Sequence, residues 1–197
     1  SHHNDVGAVQ SDCPVPLNLE AYYFEFTVVD GGDRGCIVLG FSDAGFKLSR
    51  QPGWEPNSYG YHGDDGRKYH SSGGGEEYAP PYGAGDTVGA GYHLGKQEIF
   101  FTKNGKYLGT AFTGVRGHLF PTVGLHSNNE HVELNFGQKP FKFDIDSMLA
   151  EEEQQREEAV AQAPLTTEAV RAVVRDYLCN YGYADTLKAF DSATGFV

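Results

Sequence analysis

Gly40-Phe41-Ser42-Asp43-Ala44-Gly45 sets a serine between glycines, the composition of a nucleophile elbow. An elbow needs Gly-x-Ser-x-Gly on a strand-to-helix turn. Here the second glycine falls one residue late and no helical pattern follows, so the stretch reads as a structural turn. Gly73-Gly74-Gly75 and Gly83-Ala84-Gly85 lack the glycine spacing, the lysine and the following helix of a phosphate loop. His62 and His70 flank Gly63-Asp64-Asp65-Gly66, which invites a metal reading. A calcium loop alternates its acids and closes with a later Glu, whereas Asp64 and Asp65 are adjacent, as in an Asp-Gly turn. The other histidines lack ligand spacing, and Cys13, Cys36 and Cys179 are too far apart for a zinc site. No catalytic residue, no metal ligand and no cofactor are expected.

The bulk properties exclude further classes. The 197 residues suffice for one ordinary domain and a small appendage. Fifteen Lys+Arg against 27 Asp+Glu leave a formal charge of −12. Phosphate backbones are bound by clustered cations, so no nucleic-acid partner is expected. No apolar run approaches a membrane span and no segment reads as a signal peptide, so no membrane partner is expected. An odd number of scattered cysteines suits a reducing, intracellular compartment.

The elements that must position any site divide by composition. Of 26 glycines, 24 lie within residues 1–143, together with nine of the 12 tyrosines. Glycine-punctuated, aromatic-rich sequence of this kind reads as short strands and tight turns. In Tyr22–Val29, Glu25 and Thr27 alternate with Phe24, Phe26 and Val28, the pattern of a half-buried strand. Cys36–Phe41 is continuously apolar, as a central strand would be. Ile99–Lys103 and Lys106–Leu108 flank Asn104-Gly105, the pair most at ease in a type I′ turn, and predict a hairpin. Leu119–Leu125 and His131–Phe136 supply two more strands. Residues 144–163 hold seven acids, one base and no glycine, which predicts a solvated helix or charged linker closed by Pro164.

Residues 164–197 regain an apolar pattern. Val170, Val173, Val174, Tyr177, Leu178 and Tyr181 follow helical spacing, with Thr166 or Thr167 as cap and Gly182 at the C′ position. Leu187 and Phe190 sit one turn apart on a second short helix. A unit of about 30 residues cannot bury this stripe alone, so it must dock on the sandwich of its own chain or on a second motif. The acidic spacer favours the second motif. The expected fold class is mainly β: an antiparallel β-sandwich over 1–143, an acidic helical linker over 144–163, and a small α-helical hairpin over 164–197.

Two segments carry a family resemblance. Residues 45–66, from Gly45-Phe46-Lys47-Leu48-Ser49-Arg50 through Trp54 to Gly63-Asp64-Asp65-Gly66, resemble the signature stretch of SPRY domains in the RanBPM scaffold family. Gly85-Asp86-Thr87-Val88-Gly89, Phe100-Phe101-Thr102-Lys103-Asn104-Gly105, Phe120-Pro121-Thr122-Val123-Gly124 and Asn135-Phe136-Gly137 follow in the family's order. Arg116-Gly117-His118-Leu119-Phe120 resembles plant-type members. Val173-Val174-Arg175-Asp176-Tyr177-Leu178, Tyr181-Gly182-Tyr183 and Thr186-Leu187-Lys188-Ala189-Phe190 resemble a LisH motif. The family's further N-terminal strands and its CTLH and CRA helices are absent from this sequence, so a fragment is expected.

The resemblance implies a non-catalytic adaptor, cytoplasmic and nuclear, in a CTLH (GID-type) ubiquitin ligase assembly. Its SPRY surface would capture short peptide segments of client proteins. The residues implied are Arg50, Gln51, Pro52, Gly53, Tyr69, His70, Ser71, His126, Ser127 and Asn128. Val170, Val173, Val174, Tyr177, Leu178, Tyr181, Leu187 and Phe190 would pair with a second copy or with LisH/CTLH partner subunits. Trp54, the only tryptophan, is expected to pack beneath the loops, with Tyr59 and Tyr61 as framework. A lectin-like sandwich binding a sugar or small ligand is the alternative function.

Overall fold

The computed structural model describes residues 6–162 and 166–195; Pro164, expected to close the linker, lies outside them. Eleven strands come first: β1 (Gly7–Gln10), β2 (Ala21–Gly31), β3 (Val38–Ser42), β4 (Ser58–His62), β5 (Arg67–His70), β6 (Glu76–Glu77), β7 (Thr87–His93), β8 (Glu98–Lys103), β9 (Lys106–Phe112), β10 (Phe120–Leu125) and β11 (Glu130–Asn135). Helices α1 (Ile145–Gln162), α2 (Thr167–Asn180) and α3 (Ala184–Thr194) follow. The chain divides into two compact units at Asp146/Ser147.

The first unit is a sandwich of two antiparallel sheets, one ordered β1-β10-β3-β4-β5-β6 and the other β11-β2-β7-β8-β9. Alternation along each strand sends Phe24, Phe26 and Val28 of β2 toward Leu39 and Phe41 of β3 and Tyr61 of β4, all fully buried. The filling is aromatic: Phe24 meets Phe41 edge-on at 5.5 Å, and Tyr61 lies 4.9 Å from Tyr82 and 5.4 Å from Phe101. Buried phenols need partners, and the Tyr82 hydroxyl lies 2.8 Å from the carbonyls of Ile37 and Tyr61.

The Asn104-Gly105 hairpin forms as expected. Lys103 pairs with Lys106, and the turn residues take φ of 51° and 78°. The apolar run expected from Cys36 starts its ladder only at Val38, because the Cys36 amide donates to the Glu130 carboxylate instead.

Strand β2 departs from the half-buried expectation: Glu25 is only 3% exposed. The 139–143 segment straps the outer face of its sheet, with Phe141 and Phe143 against Tyr23 at 5.0 and 5.6 Å. Burying a carboxylate requires donors, and Glu25 receives the Lys142 and Phe143 amides at 3.0 Å and the Tyr23 hydroxyl at 2.8 Å.

The second unit holds α2 and α3 as a hairpin. Thr166 caps α2 by accepting from the Ala169 amide at 3.1 Å, and Gly182 leaves the helix at φ 74°. Arg175 pairs with Asp191 at 3.0 Å, joining the helices. Helix α1 buries no residue, which matches its acidic, stripe-free sequence. No helix among the described residues is long and apolar enough to cross a membrane.

Candidate functional site

The 43–57 connection folds back over the outer face of the six-stranded sheet. Glycines on that face make room for it. A Cβ at Gly60 would collide with the Pro52 carbonyl, and one at Gly124 would collide with the Gln51 side chain. Gln51, Pro52 and Gly53 are therefore buried beneath the surface that the resemblance assigned them to contact, with Gln51 only 1% exposed. Gln51 donates to the Cys36 carbonyl at 3.1 Å, and the Gly53 amide donates to the Ser58 hydroxyl at 2.9 Å. Gly53 takes φ 95° where a Cβ would strike Tyr69, so the tight passage requires glycine.

On this bed stands a cluster of rings. Arg50 lies over Trp54 at 5.1 Å and is held by Glu55 at 3.0 Å. His126 meets the Trp54 ring edge-on at 6.1 Å. Tyr69 faces His62 at 3.9 Å, and His62 lies 6.4 Å from Trp54. Trp54 is thus half-buried inside the site, in contact with its rings, instead of packing fully beneath the loops.

Burial pushes the His62 ring down from the usual histidine range, and its Nε2 lies 3.0 Å from the Pro52 carbonyl. Tyr69 is pushed up to about 12 by burial and by its 2.6 Å hydrogen bond to Asp65. Burial and the nearby Asp64 push the Cys36 thiol up to about 11, which leaves it protonated and a poor nucleophile. Ser42, the serine of the elbow-like stretch, is buried and bonded to Thr122 at 2.6 Å.

The other expected residues separate into three groups. Arg50, Tyr69, Ser71, His126 and Asn128 are exposed or half-exposed around Trp54 and the turn after β5. His70 is not with them. Strand alternation turns it to the opposite face from Tyr69, where it stacks on Tyr59 at 4.2 Å and reaches the Ser58 carbonyl at 3.0 Å. Ser127 is committed internally: its hydroxyl donates to Glu130 at 2.6 Å and accepts from the Arg34 amide at 3.2 Å. Glu130, which binds three residues of these loops, was missed by sequence reasoning. Its bonds to His126 and Ser127 lie within four residues, whereas the one to Cys36 spans 94 and leaves no local signal.

In the helical unit, Val174, Leu178, Leu187 and Phe190 are half-buried. Val170, Val173, Tyr177 and Tyr181 stay exposed, Val173 at 70% and Tyr181 at 68%. Tyr177 carries Tyr181 at 4.6 Å and Tyr183 at 6.3 Å, so this open face is a continuous aromatic surface.

Comparison with known proteins agrees with this geometry. Residues 21–139 match the SPRY domain family. The chain is 47% identical over 193 residues to a Ran-binding protein M homolog from Arabidopsis thaliana, covering 98% of this chain and 41% of that protein. It is 38% identical over 196 residues to Ran-binding protein 9 from Homo sapiens, covering 96% of this chain and 27% of that protein. The chain thus spans less than half the length of these relatives. A crystal structure of a human SPRY domain superposes with a TM-score of 0.64 at 35% identity, over 70% of this chain and 88% of that one. With the two-sheet topology and the match across its strands, the chain belongs to the SPRY domain family.

Proposed function

We propose that the chain is a non-catalytic adaptor whose Trp54 surface captures short, extended peptide segments of client proteins. The observation that carries this reading is the ring cluster itself: Arg50, Trp54, Tyr69 and His126 stand partly exposed on a bed of buried backbone. Rigid rings supply contact area at little entropic cost, and a preformed surface suits a peptide that must order on binding. The relatives, named for binding the protein Ran, support a protein partner over a small ligand.

The division into a sandwich over 1–143, a linker over 144–163 and a LisH-like hairpin over 164–197 belongs to the same reading. The hairpin's open face pairs with a second copy or a related motif, and the adaptor works within a CTLH (GID-type) ubiquitin ligase in cytoplasm and nucleus. Pairing two peptide surfaces raises their effective concentration for a client with two segments.

Trp54 is the only tryptophan, so its emission reports the site directly. A short peptide selected by phage display on the wild-type chain should change that emission saturably. Tyr69→Ala and Arg50→Ala should weaken it about tenfold or more, as expected for residues central to an interface. Selected peptides that leave Trp54 emission unchanged and ignore both substitutions would place peptide binding elsewhere.

A further inference from the structure

We propose that Glu130 is the positioning residue of the peptide surface: its carboxylate holds the His126–Asn128 loop against the 33–36 loop and so sets His126 at the edge of Trp54. This rests on the peptide-surface reading above. Glu130 opens β11 in the five-stranded sheet, whereas Cys36 leads into β3 and His126 follows β10 in the six-stranded sheet. The carboxylate therefore ties loops of both sheets.

Four donors converge on it. The amides of His126 (2.6 Å) and Ser127 (3.0 Å) meet Oε2, while the Cys36 amide (3.0 Å) and the Ser127 hydroxyl (2.6 Å) meet Oε1. A carboxylate has lone pairs for all four, and donors aimed at a charge make the stronger class of hydrogen bond. The same loops are laced at two further points, by the Arg34 amide on the Ser127 hydroxyl at 3.2 Å and the Asp33 amide on the Asn128 carbonyl at 3.3 Å. Gly32 passes this junction at φ 60°, where a Cβ would strike the Asn128 carbonyl and the Glu130 amide. The contact is thus built into the backbone path.

The consequence reaches the ligand. With its hydroxyl proton given to Glu130 and a lone pair taken by the Arg34 amide, Ser127 has no side-chain proton to donate to a peptide, and the loop presents the His126 ring and the Asn128 side chain instead. Without Glu130 the loop would sample other conformations, and a peptide would have to order it on binding.

The test uses the display-selected peptide, labelled with fluorescein, and the full chain. Glu130→Gln keeps the size but turns an NH2 group toward two of the donors. Its expected effect is about tenfold weaker binding, with a melting temperature lowered by only a few degrees and faster hydrogen exchange confined to whichever of the Cys36, His126 and Ser127 amides face the NH2 group. Ser127→Ala should weaken binding less, because the three amides keep their acceptor. Binding within twofold of wild type in Glu130→Gln overturns the proposal, and so does a loss of affinity with those three amides still protected. Should Glu130→Gln not fold, Glu130→Asp, whose shorter carboxylate cannot span both loops, carries the test through the same exchange and affinity readouts. If Tyr69→Ala and Arg50→Ala bind like wild type, the surface reading itself fails. If they lose binding while Glu130→Gln keeps it, only the role of Glu130 falls.

Discussion

His62 on β4 and Tyr69 on β5 face each other with ring centroids 3.9 Å apart, and this pair forms the floor from which Trp54 is reached. The contact follows from register. Gly60 pairs with Tyr69, and Gly60 and His62 share the outer face of the sheet. It also has a cost in acid, because a buried imidazole resists protonation.

That cost gives a pH dependence. The His62 ring titrates below its unfolded value, near 6.5 for a free histidine. As pH falls through that unfolded value the unfolded chain takes up a proton that the native chain refuses, so native stability is lost. Above it His62 contributes no slope. Urea midpoints should therefore fall on acidification below about pH 6.5, and His62→Gln should flatten that fall. An unchanged slope in the variant would show that other groups dominate.

Gly60→Ala tests the backbone bed. Its Cβ would collide with the Pro52 carbonyl, and neither strand nor loop can yield cheaply. Overpacking of this kind typically costs about 1–3 kcal/mol, which urea denaturation would resolve. Peptide binding should fall with it, since the displaced loop carries Trp54.

Glu25→Ala tests the strap over the five-stranded sheet. The substitution leaves the Lys142 and Phe143 amides without their acceptor, while the Tyr23 hydroxyl keeps Thr102 at 2.7 Å. Roughly 1–3 kcal/mol of stability should be lost, with rapid exchange at the Phe143 amide as the local mark. Slow exchange there would mean that Phe141 and Phe143 hold the strap without the carboxylate.

Val173→Asp with Tyr177→Asp tests the open helical face. Both positions are exposed, so the hairpin and its far-ultraviolet circular dichroism should survive. Self-association, followed by sedimentation, should drop to monomer in the variant. Under the ligase role proposed above, affinity purification with mass spectrometry should recover ligase subunits with the wild-type chain and lose them with the variant. An unaltered sedimentation profile together with retained subunits would remove the pairing role from this face.

What the sequence determined was local. Asn104-Gly105 tolerates positive φ whatever surrounds it, so the hairpin was legible. A threonine cap at 166 or 167 and the Gly182 exit were legible for the same reason, since each acts within a few residues of itself, and the structure chose Thr166. Alternation along β2 named the core face, because a period of two needs no knowledge of the partner strand. Tertiary structure decided the rest. Glu25 looked solvent-facing until a strap more than a hundred residues away covered it. Gln51, Pro52 and Gly53 looked like surface contacts, and only the absence of side chains at Gly60 and Gly124 let them sink beneath it. Glu130 showed only half of its role, because His126 and Ser127 lie within four residues of it whereas Cys36, 94 residues away, meets it only in the folded chain. Burial and convergent hydrogen bonding are properties of pairs distant in the chain, whereas a single sequence displays only the near ones.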